Sequence, residues 1–290
     1  MDNNEWLERF LTDCEFRSCS AKTLEAYRQR INVFLEYIGD IPVRDLKRQD
    51  CTDFLAEMCE KVSKSSVCSY ITALKSFGRF IEAELWDEGW RNVFGTLRYP
   101  KTEEYKPILV SEDEIERMLE AMPKRTPTAK RDYALACLAY SSGLRASELA
   151  DLTVEDIDTD ERTVHVRHGK GDKERWSFMD TRAQEAVLSW LHARRKFDGA
   201  TSDRLFVGRG SERLSRMSIY TVISDAGSRV GMTVTPHTMR RSRTTHLRES
   251  GTPLDVLQKM LGHSSPTTTS DSYVKFSPES IRDMVEGRGK

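Results

Sequence analysis

Five stretches in the second half of the chain carry side chains able to act on an anion. They are Arg145 in GLRASEL, Lys170 in HGKGDKE, His237 and Arg240 in PHTMRR, His263 in LGHSS, and Tyr273 in SDSYVKF. Each has a plain alternative: Arg145 can be a surface arginine at a helix start, and Lys170 a turn lysine at a hairpin tip. His237 and Arg240 stand at i and i+3 behind Pro236, which puts both on one face near a positive helix N-terminus. That arrangement suits an anion and equally an ordinary exposed helix start. Two guanidinium forks clamp anionic oxygens with paired, charge-assisted hydrogen bonds. A phenol has an unperturbed pKa near ~10, so as a nucleophile it needs a base or a strongly cationic pocket. Tyr140 and Tyr220 lie in other helical patterns and read as core.

In this order the blocks resemble the Arg–Lys–His-x-x-Arg–His–Tyr signature of the tyrosine recombinase family, the group of Xer-type recombinases and phage-type integrases. The resemblance covers essentially the whole chain. It implies a site-specific recombinase or integrase that breaks and rejoins DNA strands through a 3′-phosphotyrosyl intermediate. The implied catalytic residues are Arg145, Lys170, His237, Arg240, His263 and Tyr273, with Glu148, one turn beyond Arg145, orienting them. The arginines would clamp the nonbridging oxygens of the pentacoordinate transition state, where negative charge grows, and His263 would add a donor. His237 would help Tyr273 lose its proton, and Lys170 would protonate the leaving 5′ oxygen. The chain departs from the family pattern twice: Tyr273 lies one residue farther from His263 than usual, and Arg241 stands where many relatives carry histidine.

Such a site has to be positioned by a scaffold, and the periodicity describes one. Leu24, Tyr27, Ile31, Phe34, Leu35 and Ile38 form a helical stripe within Ser20–Ile38, and Val67, Tyr70, Ile71, Leu74, Phe77, Phe80 and Ile81 form another. With shorter helices near Trp6–Leu11 and Asp50–Met58, residues 1–97 read as a bundle of four or five helices. This bundle resembles the family's core-binding, DNA-binding domain. Residues 98–107, with prolines and charges but no apolar period, read as a linker, and 108–290 as the catalytic domain. There Ser111 and Glu114 form a capping box, a helix over about Asp132–Ser142 stops at Gly143, and further helical patterns cover Ala183–Arg195, Ser218–Val230, Met239–Glu249 and Leu254–Leu261. Thr163–His168 and Arg175–Phe178 flank GKGDKE and read as a β-hairpin. The expected fold is mainly α with a small antiparallel β-sheet: a helical N-terminal domain followed by a mixed α/β catalytic domain.

At 290 residues, with 38% apolar and 31% charged side chains, the composition is that of a globular protein long enough for two cores. The near-zero net charge of −1 is unevenly spread, since the first 105 residues have an acidic excess and the rest a basic one. DNA binding then depends on basic groups converging on one face. The six cysteines form no CxxC pair and suggest neither disulfides nor a zinc site. No apolar run suits a membrane and the acidic opening does not resemble a signal peptide, so a cytoplasmic protein without membrane contact is expected. No cofactor and no metal are expected, because arginines and lysine would supply the positive charge.

The expected partners are double-stranded DNA and further copies of the chain, as a homotetramer on DNA. In relatives a C-terminal helix docks on the neighbouring subunit, and Ile281 and Met284 here form an apolar pair too small for a core; packing of 278–286 against its own domain is the alternative. A catalytically inactive DNA-binding relative and a type IB topoisomerase-like activity are the competing functions, and the compact Xer-like layout favours recombination. A metal-dependent hydrolase built on His237 and His263 lacks supporting carboxylate spacing.

Overall fold

A computed structural model describes residues 1–101, 108–167, 174–197, 201–208, 210 and 213–262. The expected catalytic residues Lys170, His263 and Tyr273, the tail 278–286 and most of the expected linker lie outside the described residues. The chain divides into two compact units, Met1–Tyr105 and Lys106–Lys290. Among the described residues, no helix is long and apolar enough to cross a membrane.

The first unit is built from α1 (Asn3–Phe16), α2 (Ala21–Ile38), α3 (Arg48–Lys61) and α4 (Lys64–Glu84), followed by two short 3-10 turns at Trp86–Glu88 and Val93–Thr96. Side chains set the helix starts. Asp2 and Glu5 form a reciprocal cap on α1, while the hydroxyls of Ser20 and Ser63 accept from the third amide of α2 and α4. The two long stripes read in the sequence face inward, with Ile31, Phe34, Leu35 and Ile38 meeting Ile71, Leu74, Phe77 and Ile81. Aromatic rings fill the centre: Phe34 lies 5.1 Å from Phe54 and 5.5 Å from Phe94, and Phe10 lies 5.5 Å from Phe77, all edge to face. Each such ring contributes about 1.5–3 kcal/mol through burial. Helix α1 exceeds the expected Trp6–Leu11 by about two turns in all and α3 exceeds the expected Asp50–Met58 by about one and a half, because caps and tertiary packing extend them past their apolar residues.

The second unit contains α5 (Glu112–Glu120), α6 (Pro127–Ser142), α7 (Ala146–Asp151), strands β1 (Ile157–Asp158), β2 (Thr163–Val166) and β3 (Arg175–Phe178), then α8 (Thr181–Arg194), α9 (Arg216–Ser228), α10 (Pro236–Glu249) and α11 (Leu254–Leu261). Helix α6 is the axis. Every residue from Ala134 to Ser142 is buried, as expected of a helix covered on all sides, here by α8, α10, α9 and β3. It begins earlier than Asp132 because Thr126 caps it and Pro127 occupies the first turn.

The three strands form an antiparallel sheet in the order β1-β2-β3, so the expected hairpin gains a third, two-residue strand. The register pairs Thr163 with Phe178, Val164 with Ser177, His165 with Trp176 and Val166 with Arg175. Tyr220 requires a correction: it is 41% exposed, not core. The inward stripe of α9 is Ile219, Ile223 and Ala226, and a residue one step after Ile219 turns about 100° away from it.

Candidate active site

Three helix ends and one strand converge around a single carboxylate. Helix α6 stops at Gly143, which has a left-handed φ of +62°. A Cβ there would come within 2.9 Å of Leu261 Cδ2, so glycine is needed both for the turn and for the close approach of α11. The chain then enters α7, with Arg145 at its N-cap. Glu148, in the first turn of that helix, accepts the Arg145 backbone N–H at 2.7 Å and the Arg145 Nη1 at 2.9 Å.

The same carboxylate receives a second guanidinium from the sheet. Arg175 donates Nη1 to Glu148 Oε1 at 2.9 Å and Nη2 to Oε2 at 2.7 Å, a bidentate fork, and its Nε donates to the Met260 carbonyl at 2.9 Å. Gly262, at the end of α11, lies against this arginine, and a Cβ on it would stand 3.0 Å from Arg175 Cδ. Arg240, 4% exposed, is the third cation. It is 3.9 Å from Glu148 and donates Nη1 to the Gly143 carbonyl and Nη2 to the Leu261 carbonyl, both at 2.6 Å. The carbonyls that cap the ends of α6 and α11 thus hold one guanidinium, and the negative ends of two helices face a positive group.

Three arginines share one carboxylate, so the cluster carries a surplus of positive charge. The titration of its members reflects this. Burial pulls Arg240 down to about 10, reinforced by the charges of Arg145 and Arg175 and opposed by Glu148. Burial alone would raise Glu148, but the hydrogen bonds and charge of Arg175, together with Arg145, hold it below the ordinary carboxylate range. Arg145, whose side chain is 30% exposed, is the member that opens to solvent.

Thr235 caps α10 and Pro236 occupies its first position, which leaves His237 exposed on the opening turn. Its Nε2 is 3.4 Å from Arg241 Nη2. Partial desolvation and the charges of Arg241, Arg240 and Arg145 hold its pKa below the ordinary histidine value. The shift favours the neutral imidazole, the form able to accept a proton. Arg145, Glu148, His237 and Arg240, four of the residues singled out in the sequence, are brought to one place, and His263 follows directly on Gly262 in the chain.

Two groups of residues escaped the sequence reading. Arg175 was read only as part of a strand; an arginine at an inward register position, paired with Val166, was the available signal. The other is Tyr140 on α6, whose hydroxyl lies 2.8 Å from His246 Nδ1 on α10, with Arg243 over its ring and donating Nε to the Ser141 carbonyl. This second group ties α10 to α6 and so fixes where Arg240 meets Gly143. Among the described residues no set of three or more His, Cys, Asp or Glu is placed to hold a metal ion.

The chain matches the phage integrase family over residues 109–279 and the phage integrase N-terminal SAM-like domain over residues 6–88. It is 31% identical to the tyrosine recombinase XerA of Thermococcus kodakarensis over 287 residues, covering 98% of this chain and 95% of the relative. It is 34% identical to the tyrosine recombinase XerC of Shewanella amazonensis over 291 residues, covering 99% and 96%. Among solved structures it resembles a XerA recombinase crystal structure at 28% identity and a TM-score of 0.52, covering 99% of both chains. The Tn1549 transposon integrase in complex with transposon right end DNA is similar in fold, with a TM-score of 0.74 at 18% identity and coverage of 97% and 98%. So is a lambda integrase tetramer bound to a Holliday junction, at 0.70 and 19%, covering 95% of this chain and 81% of that one. The chain belongs to the phage integrase family, among the Xer-like tyrosine recombinases, enzymes of site-specific recombination.

Proposed function

We propose that the chain binds double-stranded DNA in the cytoplasm and exchanges strands as a homotetramer, with Tyr273 as nucleophile and Arg145, Lys170, His237, Arg240 and His263 as its catalytic partners. The observation that carries this reading is the surplus of guanidinium charge around Glu148, with His237 on the opening turn of the helix that carries Arg240. Such a cluster offers preorganised donors to a phosphoryl group whose charge grows in the transition state, and it needs no reorganisation when the reaction occurs.

In the first step the Tyr273 oxygen forms a bond to phosphorus while the P–O5′ bond breaks. The phenolic proton passes to His237, and Lys170 gives a proton to the leaving 5′ oxygen. Arg145 and Arg240, with His263, stabilise the nonbridging oxygens. In the second step a 5′ hydroxyl from another strand attacks the phosphotyrosine and the proton transfers reverse. One phosphoester bond replaces another at each step, so no ATP is consumed. Glu148 and Arg175 act through Arg145 and Arg240 by fixing their geometry. On this reading residues 1–97 form the DNA-binding domain, 98–107 the linker and 108–290 the catalytic domain, and the segment 278–286 packs on a neighbouring subunit. The integrases of similar fold solved on DNA support the substrate, and the homotetramer is this reading's own extension, by analogy with the one solved as a tetramer on a Holliday junction.

Covalent trapping tests this reading. A pool of random-sequence duplexes, each with a nick that lets the cleaved 5′ fragment diffuse away, is incubated with the whole chain and with Tyr273→Phe. The wild type is expected to accumulate a protease-sensitive DNA adduct and the variant none. An adduct that persists in the variant would move the nucleophile to another residue, and none with either protein would reject the cleavage reading.

A further inference from the structure

Helix α1 ends in a turn that sets two cysteines against each other. Arg17 closes the helix, and Ser18 takes a left-handed φ of +58°. The Ser18 N–H then donates to the Glu15 carbonyl at 2.8 Å, and the Cys19 N–H donates to the Cys14 carbonyl at 3.0 Å. These bonds, one nested inside the other, are the pattern of a helix end that folds back on its last turn. In that pattern the side chains at the two ends of the longer bond touch. Here both are thiols, Cys14 and Cys19. The next residue, Ser20, caps α2 through the Thr23 amide, so the pair sits at the corner between the two helices.

The Cys14 thiol hydrogen-bonds to Cys19, and its sulfur also accepts from Arg17 Nη2 at 3.1 Å. Cys14 is fully buried in the bundle core, whereas Cys19 is half-buried against it. Burial pushes the Cys14 thiol up to about 11, and the charge of Arg17 pulls the other way. Cys14 is therefore protonated at rest, with a guanidinium in place to steady negative charge on its sulfur. The turn already holds the two side chains together, which is the condition for a disulfide to form without moving the backbone.

We propose that Cys14 and Cys19 are a redox pair in which hydrogen peroxide closes a reversible disulfide that braces the corner between α1 and α2. The Cys19 sulfur, the one within reach of solvent, attacks a peroxide oxygen. The O–O bond breaks, water leaves and Cys19 becomes a sulfenic acid. Cys14 then attacks the Cys19 sulfur, so that the S–S bond forms as the S–O bond breaks, and the departing hydroxide takes the Cys14 proton and leaves as a second water. Two thiols thus give two electrons and reduce one peroxide to two waters. Arg17 steadies the charge that develops on the Cys14 sulfur during the attack. In a compartment rich in reduced thiols the bond opens again by exchange.

The test treats the whole chain, fully reduced and freed of reductant, with hydrogen peroxide. Remaining thiols are then blocked under unfolding conditions and the peptides mapped by mass. A Cys14–Cys19 link is expected, lighter by two hydrogens and reversed by dithiothreitol. It should form about tenfold or more faster than Cys59 oxidises, although Cys59 is the exposed cysteine. In the oxidised protein the melting transition of the first unit should rise by about 5–15 °C. Cys14→Ala should stop at the Cys19 sulfenic acid, captured by dimedone, and Cys19→Ala should leave Cys14 reduced. The wild-type map decides the matter if either variant melts early. Oxidation of Cys59 ahead of an unlinked Cys14 and Cys19, or oxidation of Cys19 beyond the sulfenic acid with no link, would overturn the redox pair. A link that leaves the melting transition in place would overturn the brace.

Discussion

Among the described residues of the first unit every buried side chain is apolar or a cysteine, whereas the second unit buries Glu148, Asp156 and four arginines, Arg131, Arg175, Arg194 and Arg240. The charges of the first unit pair on its surface, as in Arg9–Glu84, Arg28–Glu8 and Arg44–Glu88. Exposed pairs of that kind contribute about 0.2–1 kcal/mol, so apolar burial holds the bundle together. In the second unit the buried charges differ among themselves. Arg131 is balanced by Asp132 and the Val207 carbonyl, and Arg194 by backbone carbonyls of Ser202 and Arg204. Around Glu148 the cations outnumber the anion. Three guanidiniums around one carboxylate are the densest concentration of buried cationic charge among the described residues, and an anionic ligand there would relieve it, which is what the proposed function requires.

Paired substitutions sharpen this contrast. The largest effects are expected from Glu148→Gln and Phe34→Ala. The first leaves Arg175 and Arg240 buried without their carboxylate and should cost the second unit about 3–5 kcal/mol. The second opens a cavity in the bundle and should cost the first unit about 3–5 kcal/mol. Denaturant unfolding followed by hydrogen exchange would assign each loss to its unit. Their pH dependence should differ in a definite direction. Because Glu148 titrates below its unfolded value of about 4.3, its contribution is fully present above that pH and is lost as pH falls through the lowered folded value. Wild type and Phe34→Ala should therefore share an acid-sensitive transition in the second unit that Glu148→Gln shows more weakly. If all three proteins lost stability in parallel below pH 4, the surplus-charge description of the second unit would be wrong.

A smaller effect sharpens the first half of the comparison. Ser63 caps α4 through the Ser66 amide, and Ser63→Ala should lower the stability of the bundle by about 1 kcal/mol. A thermal melt of the whole chain in which only the first unit's transition shifts would agree with this. A shift of both transitions would mean that the units unfold as one.

The bundle was legible in the sequence because its signals are local. The α2 and α4 stripes and their serine caps can be read from neighbours three or four residues apart. Part of the site was legible too: His237 and Arg240 from their i, i+3 spacing behind Pro236, and Arg145 and Glu148 through the family resemblance of GLRASEL. Arg175 was not, because its partners Glu148 and Met260 are far away in the chain and only the fold brings them together. Gly143 was legible as a helix stop, but its second requirement, the close approach of Leu261, was likewise hidden. Tyr220 departs from its expected core position for a local reason: it follows Ile219 directly and so turns about 100° away from the Ile219–Ile223 stripe. Strand β1, two residues long, is too short to carry a period at all.

The central claim is that the guanidiniums around Glu148 act on transition-state charge and not simply as anchors for DNA. Arg145→Ala tests it most directly, because Arg145 is the most exposed of the three and its removal disturbs the core least. Cleavage rate and DNA affinity would be measured on the same captured duplex at one fixed salt concentration, with a melting temperature as control. The account predicts cleavage slower by on the order of 100-fold or more, with affinity changed only a few-fold. Equal losses in rate and affinity at an unchanged melting temperature would contradict it and reduce Arg145 to a phosphate anchor.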